Sequence, residues 1–160
     1  MTFQPDGTPT YGETSYTWEF TMQIKRCGFL WLSWKPNIQI SKCSGTTWYS
    51  NDDLRGEYHK NHELHHVNIT NSYWDAFLGA VKKYTNMCVC ENKATCYAQL
   101  AQLLEPLYNH LAFVAQLEYD LSVYDGPYQE RARKELEAQK DEVTKAAKAV
   151  VDKEAECGKL

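Results

Sequence analysis

The sequence predicts an α+β fold: a small N-terminal antiparallel β-sheet packed on a bundle of three long antiparallel helices, with disulfides. Three observations lead there. Apolar and polar residues alternate through much of residues 15–43, the period of a half-buried strand. From about residue 51 the apolar period lengthens to that of a helix and persists, with two short interruptions, almost to the C-terminus. Six cysteines sit at the ends of these stretches, more than a reducing compartment usually accompanies. A chain of 160 residues is long enough for one domain with its own core. It divides into an arm (1–14), a β region (15–50) and a helical region (51–160).

The arm carries two prolines and two glycines and reads as flexible. Residues 15–27 put Tyr16, Trp18, Phe20, Met22 and Ile24 on one face. Residues 29–43 are aromatic and β-branched, and Pro36 is expected to break them. Cys27 and Cys43 close these two stretches, so a Cys27–Cys43 staple is expected. The first helix covers about 51–87, capped by Asn51, Asp52 or Asp53. It is weakened locally by Asn68, Thr70, Asn71 and Gly79. Residues 88–92 turn the chain. A second helix covers about 93–124, kinked at Pro106 and stopped by Asp125-Gly126-Pro127. A third covers about 128–156 and packs through Leu136, Val143, Ala147 and Val150. Short turns make consecutive helices antiparallel. That brings Cys157 level with the first turn, where it is expected to pair with Cys88, Cys90 or Cys96, leaving the other two free to pair with each other. A four-cysteine zinc site is the rival, but Cys-x-Cys-x5-Cys is not a common zinc spacing.

His62-Glu63-Leu64-His65-His66 contains the pattern His-Glu-x-x-His. On a helix, positions i and i+4 share a face, so His62 and His66 can grip one ion. Glu63 beside them can act as general base toward a water activated by zinc. Centring the apolar face on Phe77 brings Tyr73, Trp74, Val81 and Tyr84 to one side. His59, His62, Glu63, His66 and Thr70 fall on that same side. Burying such a polar row is costly unless it binds something. His59 is an alternative ligand, and His65 faces away. Catalytic zinc usually has three protein ligands. The metzincin extension is absent, because Ser72 stands where its third histidine would be. Folding the helix pair near residue 90 sets position 64 opposite about 116. Glu118, on the stripe of Leu100, Leu107, Leu111, Val114 and Leu121, is therefore the expected third ligand. Asp120 is the alternative, pointing well away from that stripe. His110, Tyr119 and Tyr124 are candidates for substrate binding or for donating to a developing oxyanion.

These residues resemble the zincin superfamily of metallopeptidases. The stretch 59–67 is similar to the active helix of bacterial secreted zinc-dependent peptidases. Residues 118–126 are similar to a Tyr-Asp followed by a polar-Gly turn found downstream in some of them. The pattern also resembles small metallopeptidase toxin domains attached to bacterial secretion-system spike proteins. The resemblance implies zinc on the two histidines and a downstream acid, with Glu63 as base. It also implies a small sheet whose edge binds a peptide substrate in extended form.

A net charge of -4 and a pI near 5.7 offer no footprint for nucleic acid. No apolar run approaches the roughly 20 residues of a membrane span. Residues 1–15 show no signal peptide, while the cysteines point to a secreted or periplasmic site of action. The expected function is a zinc-dependent hydrolase, in particular a metalloendopeptidase acting on a peptide or protein, with an exported effector or toxin as one role. A cognate inhibitor or immunity protein would then be a partner. The alternative is a non-enzymatic, disulfide-braced helical binding module that is itself an inhibitor or immunity partner. Trp31, Trp34, Trp48 and Tyr49 would supply its interaction surface.

Overall fold

The computed structural model describes residues 2–3, 9–51, 55–124 and 126–160. Two short strands, β1 (Thr2–Phe3) and β2 (Pro9–Thr10), pair antiparallel. A long hairpin follows, β3 (Gly12–Cys27) and β4 (Ser33–Tyr49), joined through a 3-10 turn at Phe29–Trp31. Three helices complete the chain: α1 (Gly56–Thr85), α2 (Glu91–Val123) and α3 (Pro127–Gly158). The α+β class and the three-helix order are as the periodicity requires.

The hairpin lies along α1 and α2, and α3 covers the far side of α2. The alternation in β3 does what its period demands. Trp18 and Met22 are buried, Tyr16, Phe20 and Ile24 half-buried, and the residues between them exposed. Trp18 packs on Trp74 at 5.3 Å and on Phe77 at 6.1 Å between ring centroids, and Phe20 meets Phe77 edge-on at 4.7 Å. Phe77 is fully buried, and such a side chain contributes about 1.5–3 kcal/mol by leaving water. On α1 the whole expected face is turned inward, from His59 to Tyr84, with Tyr73 alone half-buried. On α3, Leu136 is buried and Val150 packs against the main core.

Several expectations are corrected. The arm is shorter than 1–14, because β1 and β2 pair across it and β3 begins at Gly12. Of the expected helix caps, Asp52 and Asp53 lie outside the described residues, and so does Asp125 of the expected stop. Pro36 does not break β4. It lies opposite Ile24 and is fully buried. Trp34 exchanges both of its backbone bonds with Val89 on the outer edge. Two residues on, the Pro36 nitrogen faces that same edge, where the β3–β4 ladder needs no donor. Pro106 sits inside α2 without ending it.

The cysteines pair differently from the expected hairpin staple. Cys27 stands opposite Ser33 and Cys43 opposite Trp18, too far apart along one hairpin to be joined. Cys27 bonds Cys88 instead, tying the hairpin to the α1–α2 turn. Cys96 bonds Cys157, as the antiparallel helices require of one of the three candidates, and Cys43 and Cys90 are free. The Cys96–Cys157 bond closes 61 residues of chain. On the loop-entropy account it adds about 4 kcal/mol. Cys157→Ala is therefore expected to lower the urea midpoint clearly, while Cys90→Ser, at an exposed thiol, leaves it within error. Equal midpoints for Cys157→Ala and wild type would remove this bond from the account of stability.

Candidate metal centre

The site forms where the N-terminal half of α1 crosses the C-terminal quarter of α2. His62 Nε2 and His66 Nε2 are 3.0 Å apart. Asp120 Oδ1 lies 2.8 Å from His66 Nε2 and 3.2 Å from His62 Nε2. Among the described residues these three side chains form the cluster able to hold a metal ion. Donors about 3 Å apart suit an ion sitting about 2.0–2.2 Å from each, the zinc distances for imidazole and carboxylate.

The surroundings orient these atoms. Gln116 spends its amide hydrogens on the His66 carbonyl at 3.0 Å and on Thr70 Oγ1 at 2.9 Å. Its Oε1 is left to accept from His66 Nδ1 in a short hydrogen bond. With the proton on Nδ1, neutral His66 presents a lone pair at Nε2, directly at Asp120 and His62. Tyr128 donates to Asp120 Oδ2 at 2.7 Å, leaving Oδ1 for the imidazoles. If His62 also carries its proton on Nδ1, three lone pairs face one another and repel unless a further proton or a metal ion lies between them. Among the described residues, His62 Nδ1 is buried without a hydrogen-bond partner. The His62 ring stacks on Tyr119 at 4.9 Å and meets the tilted ring of Tyr124 at 4.9 Å.

The electrostatics follow. Burial works against a charge on Asp120, but hydrogen bonds from His62, His66 and Tyr128, with the charge on His66, hold its carboxyl well below the usual range. Burial also opposes charge on His66, yet its bonds to Asp120 and Gln116 and the charges of Asp120 and Glu63 raise its pKa. Burial foremost, with the neighbouring acids and phenols, pushes the Tyr119, Tyr124 and Tyr128 phenols up, so they stay protonated and able to donate.

Glu63 points from the same face of α1 toward the hairpin. Thr14 Oγ1 donates to its Oε2 at 2.6 Å. A Cβ on Gly12 would come within 2.7 Å of Glu63 Oε1, so a side chain there would push the carboxylate from this position. A cavity of about 140 Å³ opens between the hairpin and α1. Thr14 and Thr70 border it, but none of the His62, His66 and Asp120 side chains does.

The remaining expected site residues are placed as follows. Glu118 is exposed and outside the cluster, and Asp120 takes the place expected for it. The stripe that selected Glu118 faces α3 at this end: Val114, Leu117 and Leu121 pack with Ala132, Leu136 and Tyr128. The face toward α1 instead carries Gln116 and Asp120. His110 turns to α3, its Nδ1 2.8 Å from Gln139 Oε1, and lies outside the cluster. His59 is buried and stacked on Tyr11 rather than in the cluster. His65 is exposed, outside the cluster, and stacks on Tyr119 at 3.9 Å.

Sequence reasoning missed Gln116, Tyr128, Thr14 and Gly12. Gln116 had a signal, because it stands one turn before Asp120 on the same face. The others sit on separate elements and had none. Gln116→Ala is expected to weaken metal binding about 10–100-fold by freeing the His66 ring, read by competition with a chelating dye. Unchanged affinity would show that Gln116 does not orient the ligand. Against known proteins, the chain matches no protein-family model, no curated protein and no solved structure.

Proposed function

We propose that this chain is a metal-dependent hydrolase, with zinc held by His62, His66 and Asp120 and with Glu63 as the general base. The observation that carries the reading is the convergence of three donor atoms from two helices, with the His66 tautomer set by Gln116. A divalent cation there would acidify a water and polarise a carbonyl. Glu63, buried beside the histidines and positioned by Thr14, would accept the proton. Protonated Tyr119 and Tyr124 adjoin His62 and could donate to the oxyanion.

A peptide is the favoured substrate, as the likeness to zincins suggests. Among the described residues the hairpin sheet is two-stranded, which leaves one edge of β3 without a partner strand there, and the start of β3 adjoins Glu63. An extended peptide could add there as a further strand. The two disulfides suit an oxidising site of action, and no described helix is long and apolar enough to cross a membrane.

One observation favours the rival. The His62, His66 and Asp120 side chains are only 4%, 11% and 14% exposed, and the cavity misses them, as a closed structural metal site in a binding module would. Metal content separates the possibilities. Mass spectrometry of protein purified without chelator is expected to find about one zinc per chain, lost in His66→Ala. One iron per chain would change the metal, since two histidines and a carboxylate also suit ferrous iron. No metal in a folded chain, even after zinc is supplied, would overturn the reading.

A further inference from the structure

At the opposite end of the molecule from the metal centre, the β3–β4 turn holds four consecutive apolar side chains out in solvent. Phe29 is 84% exposed, Leu30 68%, Trp31 65% and Leu32 72%. A solitary exposed leucine needs no explanation, but an unbroken run of this kind does. Of the four aromatic residues noted in the sequence as a candidate surface, only Trp31 is exposed, while Trp34, Trp48 and Tyr49 are half-buried.

The backbone is arranged to keep these side chains out. Leu30 and Trp31 both lie in the left-handed region, with φ of 56° and 57°, a conformation unfavourable for bulky residues. Gly28, at φ 78°, adjoins the Cys27–Cys88 bond, and a Cβ there would meet Cys88 Sγ at 3.1 Å. That bond and the Trp34–Val89 bridge clamp the base of the turn to the helical body. The apolar tip is therefore presented on a braced arm.

Charge identifies the surface it would meet. Residues 20–41, which form the turn and the ends of the strands next to it, contain three cations, Lys25, Arg26 and Lys35, and no acid, in a chain whose net charge is -4. Lys25 and Lys35 stand directly opposite each other at the base of the tip, a like-charge pairing that opposes folding unless anions lie nearby. Arg26 braces the turn, its Nη1 donating to the Trp31 carbonyl at 3.0 Å.

We propose that the β3–β4 tip is a membrane-docking element. Phe29, Leu30, Trp31 and Leu32 enter the interfacial layer of an anionic bilayer, and Lys25 and Lys35 engage its headgroups. An aromatic and aliphatic tip above a cationic collar matches the order of apolar and anionic layers met on approaching such a surface. The metal centre would then be held away from the bilayer, since His62 and Thr85 are separated along α1 by roughly 35 Å at 1.5 Å per residue. The proposal does not depend on whether the metal centre is catalytic.

Co-sedimentation of the full chain with vesicles tests it. Binding to vesicles of 70% phosphatidylcholine and 30% phosphatidylserine is expected to exceed binding to pure phosphatidylcholine at least about tenfold. Leu30→Ser with Trp31→Ser should remove at least about tenfold of it, as should Lys25→Glu with Lys35→Glu. Circular dichroism would confirm that the variants stay folded. Brominated lipid should quench tryptophan fluorescence in wild type and much less in Trp31→Phe. A wild type that stays in the supernatant with anionic vesicles overturns the proposal, and so does a tip variant that binds like wild type. Self-association abolished by the tip variant, without vesicle binding, would make a second copy of this chain the occupant and also overturn it.

Discussion

Asp120→Ala is expected to weaken metal binding by roughly 100-fold or more, at or beyond the upper end of the loss caused by disturbing a group that merely supports a ligand. Glu118→Ala is expected to leave it unchanged. The two acids are neighbours in sequence and opposite in environment. Asp120 places Oδ1 against both imidazoles and gives Oδ2 to Tyr128. Glu118 is exposed. Removing Asp120 also leaves two buried imidazoles facing each other with no anion, so some loss of stability in the metal-free form should accompany the loss of affinity. Titration with zinc against a competing chelator measures both variants. A strong loss in Glu118→Ala with none in Asp120→Ala would mean that the helix pair holds its ligands in a different rotation from the one described.

Glu63→Gln is expected to abolish most hydrolysis, by about 10²–10⁴-fold, while leaving fold and metal content intact. Glutamine has nearly the volume of glutamate, and its carbonyl can still accept from Thr14. It therefore fits the space that Gly12 leaves while losing the ability to take a proton. Metal content and circular dichroism should match wild type, and turnover of a general peptide substrate should not. Full turnover in the variant would transfer the proton to another group. A wild type that holds zinc but turns over no peptide would favour the closed site of a binding module, in which Glu63 is a buried partner of Thr14.

Much of this molecule follows from local pattern. Alternation selects the inward face of β3, and the 3.6-residue period selects the inward face of α1 from His59 to Tyr84, because each element has one side that must leave water. The same periodicity brings His62, Glu63 and His66 to one face, and short turns make the helices antiparallel. Hence the level at which α1 meets α2 could be read from chain length alone, with position 66 beside 116 and 120. Rotation about the helix axis could not. The middle helix buries two faces, one against α1 and the hairpin and one against α3. A stripe of leucines does not say which neighbour it serves. Only the packed structure assigns the stripe at that end to α3, turns Gln116 and Asp120 toward the histidines and leaves Glu118 in solvent. The cysteines follow the same division. Antiparallel helices required Cys157 to meet the first turn. That Cys27 meets Cys88 rather than Cys43 depends on how the hairpin lies along α1, a contact between residues 61 apart that no local period encodes.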